Sequence, residues 1–412
     1  MKFSPLPVAL YLMWAAHGSA QVPKPYEELN IYAGNTHAHT IYTMSHGSHL
    51  GRPPDFVKGS KILEIDALHL SRPINYLIKP DWEKYQGTPQ DHFALAAQSD
   101  FDFYCVTDHS QEAAFYPNDP LNIAWILSQK HAEMATTDTF TGLIGYEHSE
   151  NDGPGGKGHY NVIGSSRYLN ALDPGVDVAS FYTWLKANPI NLTTGDPVAV
   201  TFNHPGPEQY DNWKFRDAEI TDIITMLEVI NGTQPSYEGF ISALDKGWKV
   251  SPVAGLDNHG TGGIKEIEAR TFVVAARNTR SDILRAMRMR RTYAASDKNL
   301  ECRYTVNGHM AGADIPSAAT YTFEVYINDP DTSDPADTIT KIEIIGSGGA
   351  LIDTFIPATK SHRVRCRMEV SGSENPSAYY FLKIWDNSAD PAGAAAESDL
   401  PVATLAPVWI TR

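Results

Sequence analysis

The sequence predicts an α/β protein in which strands and helices alternate, followed by a smaller antiparallel, β-sandwich-like domain. Between about residues 30 and 275, short apolar runs repeatedly stop at His, Asp or Glu. Helix-like stretches separate these runs, which is the order of elements in a βα barrel. From about residue 297 onward, strand-like runs are separated only by turn-forming residues, which is typical of antiparallel β structure.

The composition is that of an ordinary globular protein with an acidic surface. The chain has 412 residues, enough for two domains, and 42% of them are hydrophobic and 20% charged. Acidic residues outnumber basic ones by 49 to 33, which gives a formal charge of −16. This charge repels phosphate backbones and anionic lipid headgroups. We therefore expect a small-molecule substrate and neither nucleic acid nor a membrane as a partner, and the oligomeric state stays open.

The first twenty residues have the features of a secretory signal peptide. Lys2 precedes an apolar run over about residues 7–16, and small residues follow it at 18–20, ahead of Gln21. The alternative, a transmembrane anchor, is disfavoured because the run is much shorter than the ~20 apolar residues that span a bilayer. The sequence therefore predicts a secreted or periplasmic protein.

Six strand-like runs are followed by side chains of the kinds that can bind metal ions. In each, apolar or β-branched residues stop abruptly at a polar group, and in a βα barrel these ends collect on one face. The groups that follow these runs are His37 and His39; Asp108 and His109; Glu147 and His148; Asn203 and His204; Glu228; and Asp257 and His259.

Helical and β segments outline a domain organisation. Apolar residues recur at helical spacing over residues 88–99, 178–187 and 281–291, whereas residues 304–306, 321–327, 339–345, 364–370 and 379–385 look like strands. We expect an α/β domain at 21–298 and a β domain at 299–412. Residues 47–89 form an insertion that is either a lid over the site or an excursion packed on the outside.

Three cysteines are present, and none forms a CxxC pair. Metal binding through sulfur is therefore not expected. Cys105 lies in an apolar run, where a buried, inert thiol is the usual case. Cys302 and Cys366 both lie in the predicted β domain, and export would permit a disulfide between them, but the sequence leaves open whether they come close enough.

The spacing of the polar strand ends favours a metal centre. Side chains alternate along a strand, so His37 and His39 point the same way, and Asp257 and His259 repeat this arrangement. Imidazole and carboxylate without thiolate suit zinc, manganese or iron. Because there are more than four candidate ligands, we expect more than one divalent ion.

These motifs resemble those of the polymerase and histidinol phosphatase (PHP) superfamily, in the same order along the chain. The residues that carry the resemblance are His37-Ala38-His39-Thr40, Thr107-Asp108-His109, Glu147, Asn203-His204-Pro205 and Asp257-Asn258-His259. Further segments resemble its carbaryl-hydrolase branch, the CehA/McbA-type metallohydrolases: Gly158-His159-Tyr160-Asn161, Leu227-Glu228-Val229-Ile230-Asn231-Gly232 and Arg291-Thr292-Tyr293-Ala294.

The resemblance implies a distorted (β/α)7 barrel of the PHP type with two or three metal positions. One position would use His37, His39, Glu147 and Asp257; a second His109, His259 and His46; and a third Glu147, His159 and His204. For the second position His49 is an alternative to His46, because the spacer after His39 is slightly long.

Four further residues are candidates for catalytic roles. Asp108 adjoins His109 and is either a proton-shuttling carboxylate or a turn-capping side chain. Arg270 and Arg291 follow the last ligand pair and would stabilise an anionic transition state, unless Arg291 only caps a helix end. Tyr293 would donate to an oxyanion, or else only pack between the two domains.

The motifs favour a hydrolase that uses a metal-activated hydroxide. The sequence contains no GxSxG, Walker or GxGxxG motif, so neither a serine nucleophile nor a nucleotide cofactor is expected. The resemblance implies an ester-type substrate, either a phosphoester or a carboxylic or carbamate ester. The alternative is a metal-stabilised binding protein, or pseudoenzyme, whose β domain recognises a glycan or a protein partner.

Overall fold

The computed structural model describes residues 24–44, 61–65, 74–78, 83–119, 121–149, 157–388 and 401–411. The predicted signal peptide, His46 and His49 lie outside these residues, and so does most of the predicted insertion at 47–89. The signal peptide and the lid therefore stay predictions. Within the described ranges, no helix is both long and apolar enough to cross a membrane.

The elements are numbered in chain order. The helices are α1 (Glu83–Gln86), α2 (Pro89–Ala97), α3 (Ile123–Ala135), α4 (Val178–Ala187), α5 (Gln209–Trp213), α6 (Ala218–Ile223), α7 (Tyr237–Asp245), α8 (Gly263–Glu266) and α9 (Arg280–Arg288). The first fourteen strands are β1 (Asn30–Asn35), β2 (Ala38–His39), β3 (Lys61–Ile65), β4 (Ile74–Ile78), β5 (Phe103–Val106), β6 (Thr141–Ser149), β7 (His159–Ile163), β8 (Ala199–Asn203), β9 (Ile224–Asn231), β10 (Gln234–Pro235), β11 (Ser251–Gly255), β12 (Asn258–His259), β13 (Arg270–Ala275) and β14 (Thr292–Ala295). The others are β15 (Glu301–Val306), β16 (His309–Met310), β17 (Asp314–Pro316), β18 (Thr320–Asn328), β19 (Lys341–Ile345), β20 (Leu351–Phe355), β21 (Arg363–Ser371), β22 (Tyr379–Trp385), β23 (Ala403–Leu405) and β24 (Val408–Thr411).

One large mixed sheet organises the first part of the chain. Its strands lie in the order β10, β9, β8, β7, β6, β5, β1, β13 and β14, with β11 also paired to β9. The β1–β5, β5–β6, β8–β9 and β9–β11 pairs are parallel, as expected for βα units, whereas β6–β7, β7–β8, β1–β13 and β13–β14 are antiparallel. The predicted α/β class is confirmed.

The strand ladders do not confirm the predicted distorted (β/α)7 barrel, because some neighbouring strands are antiparallel. Residues 150–158 between β6 and β7 are too few for a helical crossover, so β7 returns antiparallel to β6. The sheet curls so that β11 lies beside β13 and β14, and side-chain hydrogen bonds join them. The Ala254 N–H donates to Thr271 Oγ1 at 2.8 Å, and the hydroxyls of Ser251 and Thr292 lie 2.6 Å apart. One consequence is that His159, the first residue of β7, lies beside the end of β6.

The predicted helices form with their expected caps. At the start of α2 the Thr88 side chain accepts a hydrogen bond from the Asp91 N–H, and the Asp91 side chain accepts one from the Thr88 N–H. Pro89 follows as the first helical residue, and its fixed φ angle suits a helix. In α9, Ile283, Leu284 and Met287 recur at helical spacing and are fully buried against the sheet. These helices cover the outer face of the large sheet and hold its strands in register.

The predicted β structure of the C-terminal part is also observed. A four-stranded antiparallel sheet runs β16, β15, β18, β21, and a second set of strands, β23, β22, β19 and β20, continues the large sheet through the pairing of Tyr293 with Leu405. Between these layers lies an apolar core that includes Phe323, Tyr380 and Leu382. Because hydrogen bonding is continuous from β14 into β23, the predicted boundary at residues 298 and 299 stays a prediction.

The cysteines are free and buried, so the disulfide that the sequence left open does not form. Cys302 on β15 pairs with Ile327 of β18, and Cys366 on β21 pairs with Val325 of the same strand. With β18 between them, the two cysteine-bearing strands are two strand spacings, or roughly 9.5 Å, apart. That separation exceeds the ~7 Å that a disulfide can bridge between Cα atoms.

An acidic cluster lies where the loop after β14 meets the β domain. Carboxylate oxygens of Asp297, Asp329 and Asp337 come within 4.8 Å of one another, and Asp329 is only 2% exposed. Burial, together with the negative charge of Asp297, raises the pKa of Asp329 to about 7 and that of Asp337 to about 6. Folding therefore makes these groups bind protons more tightly.

This cluster predicts a stability that falls as the pH rises. Because the folded pKa of Asp329 exceeds its ordinary value of 3.8, its contribution is complete below about pH 4 and is lost as the pH rises through about 7. We expect Asp329→Asn to raise the melting temperature at pH 8 by about 2–4 °C, corresponding to about 1 kcal/mol after solvent screening. The gain should vanish below about pH 4. Thermal unfolding across this range, with the exposed Asp138→Asn as control, measures it, and an equal shift at both pH values would contradict the prediction.

Candidate metal centre

Eight of the nine predicted metal ligands converge at one end of the large sheet. Each lies at or next to a strand terminus, because the strands stop there and their last side chains turn toward a common centre. His37 and His39 follow β1, His109 follows β5, Glu147 lies near the end of β6, His159 begins β7, His204 follows β8, and Asp257 and His259 follow β11. The short strands β2 and β12 pair in parallel, which sets His39 directly opposite His259.

The ligand atoms form three groups. Within each group the donor atoms lie within 4.8 Å of one another, close enough to share one ion. The groups are His39, His109 and His259; His37, His39 and Asp257; and Glu147, His159 and His204. The predicted ninth ligand, His46, and its alternative, His49, lie outside the described residues.

Glu147 is the centre of the arrangement. It is 1% exposed, and its two oxygens lie 3.3 Å from His37 Nε2, 2.8 Å from His109 Nδ1 and 3.2 Å from His159 Nδ1. It also lies 3.6 Å from the Nε2 atoms of both His39 and His204. One buried carboxylate thus touches a histidine of every group, which is the geometry that a bridging ligand requires.

Histidine and carboxylate side chains lie next to one another at the centre, and each kind shifts the pKa of the other. Burial alone would lower the pKa of His37, but the carboxylates of Asp257, Glu228 and Glu147 outweigh it and hold that pKa well above its usual value. Burial likewise opposes ionisation of Glu147 and Asp257, yet the charge of His37 holds the pKa of both carboxyls well below its usual range. A positive charge is therefore favoured at the point where these carboxylates meet, which suits a divalent cation.

His39 differs from His37 in its protonation. Burial and the neighbouring imidazoles of His259 and His109 hold the pKa of His39 well below its usual value. Its ring stacks on those of His259 and His109, with centroids 4.1 and 4.4 Å apart. Its Nδ1 lies 3.3 Å from the Thr43 hydroxyl, which leaves Nε2 directed to the centre. Neutral His39 is therefore ready to ligate an ion, and it belongs to two of the three groups.

Two ligands lie on backbone that non-glycine residues rarely adopt. The φ angle is +32° at His204 and +48° at Asp257, conformations that cost on the order of 1–3 kcal/mol each. Hydrogen bonds hold both: the His204 N–H donates to Glu228 Oε2 at 2.8 Å, and the Asp257 N–H donates to the His37 carbonyl at 3.0 Å. These bends turn the side chains of the strand ends inward.

A left-handed turn supports the His204 segment from outside. Residues 210–213 all have positive φ, and the Tyr210 hydroxyl reaches back to donate to the Asn203 carbonyl at 2.7 Å. The Tyr210 ring packs against Gly158, where a Cβ would clash with it. The segments that carry His159 and His204 are therefore both fixed by one buried tyrosine.

Asp108 lies beside the centre but outside the three ligand groups. Its oxygens accept bonds from the Thr40 N–H, the Thr40 hydroxyl and the Thr43 hydroxyl, at 2.6 to 2.8 Å. Burial raises its pKa to about 6, against the opposing effect of these bonds. This geometry fits the turn-holding alternative, because Asp108 ties the loop after His39 to the end of β5.

The structure places Arg270 away from the centre, in contrast to its predicted role. Its guanidinium lies 3.6 Å over the Phe101 ring and donates to the Ile267 carbonyl at 2.7 Å. The reason is the alternation of side chains along β13: Thr271 faces inward and bonds Ala254, so Arg270 faces outward. Burial lowers the pKa of Arg270 to about 10, still well above neutrality.

Arg291 and Tyr293 are also placed elsewhere. The Tyr293 ring stacks on Phe272 at 4.6 Å, its hydroxyl donates to the Leu300 carbonyl at 2.7 Å, and burial raises its pKa well above the usual value. Arg291 lines a small cavity with Tyr293 and Tyr304 between the large sheet and the β domain. For Tyr293 the packing alternative is therefore the one that the structure supports, and neither residue reaches the ligands.

Three residues that contact the ligands were assigned to no metal position in the sequence-based prediction. Asn203 donates to Glu147 Oε1 at 2.9 Å, the Ser149 hydroxyl lies 2.7 Å from His109 Nδ1, and Glu228 lies 2.8 Å from His37 Nδ1. Asn203 and Glu228 were visible as polar ends of apolar strands. That signal could have assigned both residues to the site, but it could not have shown which ligand each residue would contact.

Comparison with known proteins finds likeness among solved structures and none among sequences. No family model matches the chain, and no curated protein sequence matches it. A solved structure of a two-domain protein from Bacteroides vulgatus, described as containing a predicted PHP-like metal-dependent phosphoesterase, is similar over 95% of this chain and 99% of that one, with 14% identity and a TM-score of 0.43.

Proposed function

We propose that this protein is an exported metal-dependent hydrolase of the PHP superfamily and the CehA/McbA type, which cleaves an ester-type bond. The convergence of seven His and Asp side chains around Glu147 carries the proposal. The bond is a phosphoester, or a carboxylic or carbamate ester. Export rests on residues 1–20, and N-terminal sequencing of the secreted protein tests it, since the mature chain should begin at Gln21.

The donor set fits borderline divalent ions. Imidazole nitrogens and carboxylate oxygens without thiolate suit zinc, manganese or iron. The three groups would together hold two or three ions, and His39 would ligate only one of them, because only its Nε2 faces the centre. Bound ions would supply hydroxide at neutral pH and polarise the ester oxygen.

The ligands of the centre differ in how deeply they are buried. His37 and His39 are fully buried and lie at the bottom, where their rings are locked by packing. His159, His204, Asp257 and His259 are 20–29% exposed and form the open side. A substrate would therefore approach past these four residues, while the buried ligands keep the ions fixed.

The experiment is a panel of chromogenic phosphomonoester, phosphodiester, carboxylic ester and aryl carbamate substrates. The purified protein is assayed with zinc or manganese, and again with chelator. We expect turnover of at least one class that chelator abolishes. His37→Ala and His39→Ala should remove both metal content and turnover, whereas His309→Ala, at an exposed histidine of β16, should change neither.

Two results would contradict the proposal. Absence of chelator-sensitive turnover on every substrate, with metal bound, would favour the alternative of a metal-stabilised binding protein. Activity retained in His37→Ala and His39→Ala would mean that the hydrolytic site lies elsewhere. The substrate class that is turned over separates the phosphoesterase from the carbamate or carboxylic esterase.

A further inference from the structure

Glu228 is a fully buried carboxylate that contacts the metal centre from behind. It lies on β9, and its side chain is 0% exposed. Its Oε1 lies 2.8 Å from Nδ1 of His37. Its Oε2 accepts from the backbone N–H of His204 at 2.8 Å and from Nδ2 of Asn231 at 3.2 Å.

The two ring nitrogens of His37 face opposite surroundings. Nε2 points to the centre, 3.0 Å from His39 Nε2, 3.3 Å from Glu147 and 3.4 Å from Asp257. Nδ1 points away from the centre, to Glu228. A histidine ligates a metal ion only through a nitrogen that carries no proton, and the partner of the other nitrogen decides which one that is.

We propose that Glu228 is a positioning residue that keeps a proton on Nδ1 of His37 and thereby leaves Nε2 to ligate a metal ion. This inference rests on the metal centre of the proposed function. An ionised carboxylate only accepts hydrogen bonds, so Nδ1 of His37 must be the donor. The same carboxylate also holds the bent backbone of His204, so it sets the geometry of ligands in two groups.

The surrounding structure is shaped to admit this contact. Gly255 of β11 lies against the pair, and a Cβ at that position would overlap Glu228 Oε1 and come within 2.8 Å of His37 Cβ. Asn231 extends the contact, since its Nδ2 lies 3.2 Å from Glu228 Oε2 and 3.1 Å from Asp257 Oδ2. Glu228 is thus linked to ligands on three strand ends.

Glutamine has the size of Glu228 but cannot replace it. Its single oxygen can face either His37 Nδ1 or the His204 N–H, and its NH2 group then faces the other. If the NH2 faces His37, Nδ1 must give up its proton and Nε2 becomes the protonated nitrogen. If the NH2 faces His204, two donors are opposed in a buried site, which is unfavourable. Either arrangement weakens ligation.

The test measures the proton directly. Protein labelled with ¹⁵N-histidine is examined by NMR with and without zinc, and the His37 signals are identified by their loss in His37→Ala. In the wild type we expect a hydrogen-bonded Nδ1–H signal in both states. In Glu228→Gln this signal should be lost or strongly shifted, and the zinc affinity, measured by competition with a fluorescent chelator, should fall about 10–100-fold.

Asp102→Asn is the matched control. Asp102 also accepts a backbone N–H, that of Ala33 at 2.7 Å, in the same sheet but at a distance from the histidines. It should leave both the His37 signal and the zinc affinity unchanged. Gly255→Ala, which displaces the carboxylate without changing its charge, should act in the same direction as Glu228→Gln.

The outcomes are distinct. A wild-type Nδ1 without a proton would overturn the proposal even if Glu228→Gln failed to fold. A loss of zinc affinity in Glu228→Gln with an unchanged Nδ1–H signal would overturn it too, because the carboxylate would then act by its charge alone. If the wild type takes up no zinc, the metal centre of the proposed function fails, and the inference about ligation fails with it. If the wild type binds zinc, the Glu228→Gln results test the role of Glu228 alone.

Discussion

Glu147→Gln is expected to lower the metal content at all three ligand groups and to reduce turnover by about a thousandfold or more. Glu147 lies within 3.3 Å of His37, His109 and His159, so its charge stabilises positive charge in every group. A metal ion contributes several kcal/mol of transition-state stabilisation, and 1.36 kcal/mol corresponds to a factor of ten in rate. Metal analysis of the purified variant and the turnover assay with added zinc measure the two effects.

The control removes a buried negative charge nearby without removing a ligand. Glu112 is 5% exposed, and its charge contributes to raising the pKa of His109, yet it belongs to none of the three groups. Glu112→Gln should therefore keep its metal content. If Glu147→Gln retained the full content of metal while its turnover fell, Glu147 would act on the substrate rather than as a bridge between ions.

Seven of the eight candidate ligands that the structure describes could be predicted because each lies at the end of a strand that is readable from the sequence, whereas His159 was assigned only through the resemblance. His37 and His39 follow an apolar run, and Asp257 and His259 follow another with the same spacing. The ends of parallel strands meet at one edge of a sheet, so a local pattern was enough to bring distant residues together. The sequence could not show that His39 serves two groups, because this depends on its pairing with His259 between β2 and β12.

The wrong expectation for the cations has a different cause. Arg270 is close in sequence to the last ligand pair and lies at the correct end of β13, but the side-chain alternation of that strand directs it outward. Arg291 precedes β14, which runs antiparallel to β13, so it lies at the opposite end of the sheet. The position of a residue along the chain did not reveal the direction of its strand or the face of the sheet to which its side chain points.

Strand direction also explains the difference in the fold. The alternation of strands and helices predicted parallel units, and several pairs are parallel. Antiparallel β7 was not predicted as a strand, because its residues 159–163 carry a histidine and an asparagine within the run. Its direction follows from the short connection after β6, and that direction brings His159 to Glu147.

Zinc affinity is expected to rise about tenfold per pH unit, for each proton displaced, between pH 6 and pH 8. Burial disfavours the charge on His109 and His204, but Glu147 outweighs it and raises the pKa of both, as the carboxylates around His37 do for that residue. Below these raised pKa values a proton occupies the nitrogen that an ion needs. The affinity must therefore fall as the pH falls, and His39, whose pKa is well below the usual value, adds no proton to this competition.

Calorimetry of zinc binding at pH 7, in two buffers of different ionisation enthalpy, counts these protons directly. We expect at least one proton released per chain, because the surrounding carboxylates raise the pKa of His37 well above its usual value and its Nε2 faces the centre. His309→Ala, which alters an exposed histidine outside the centre, should release the same number. Zinc binding that releases no proton and keeps one affinity from pH 6 to pH 8 would mean that His37 keeps its charge in the bound state, and that the ions are held by the remaining ligands alone.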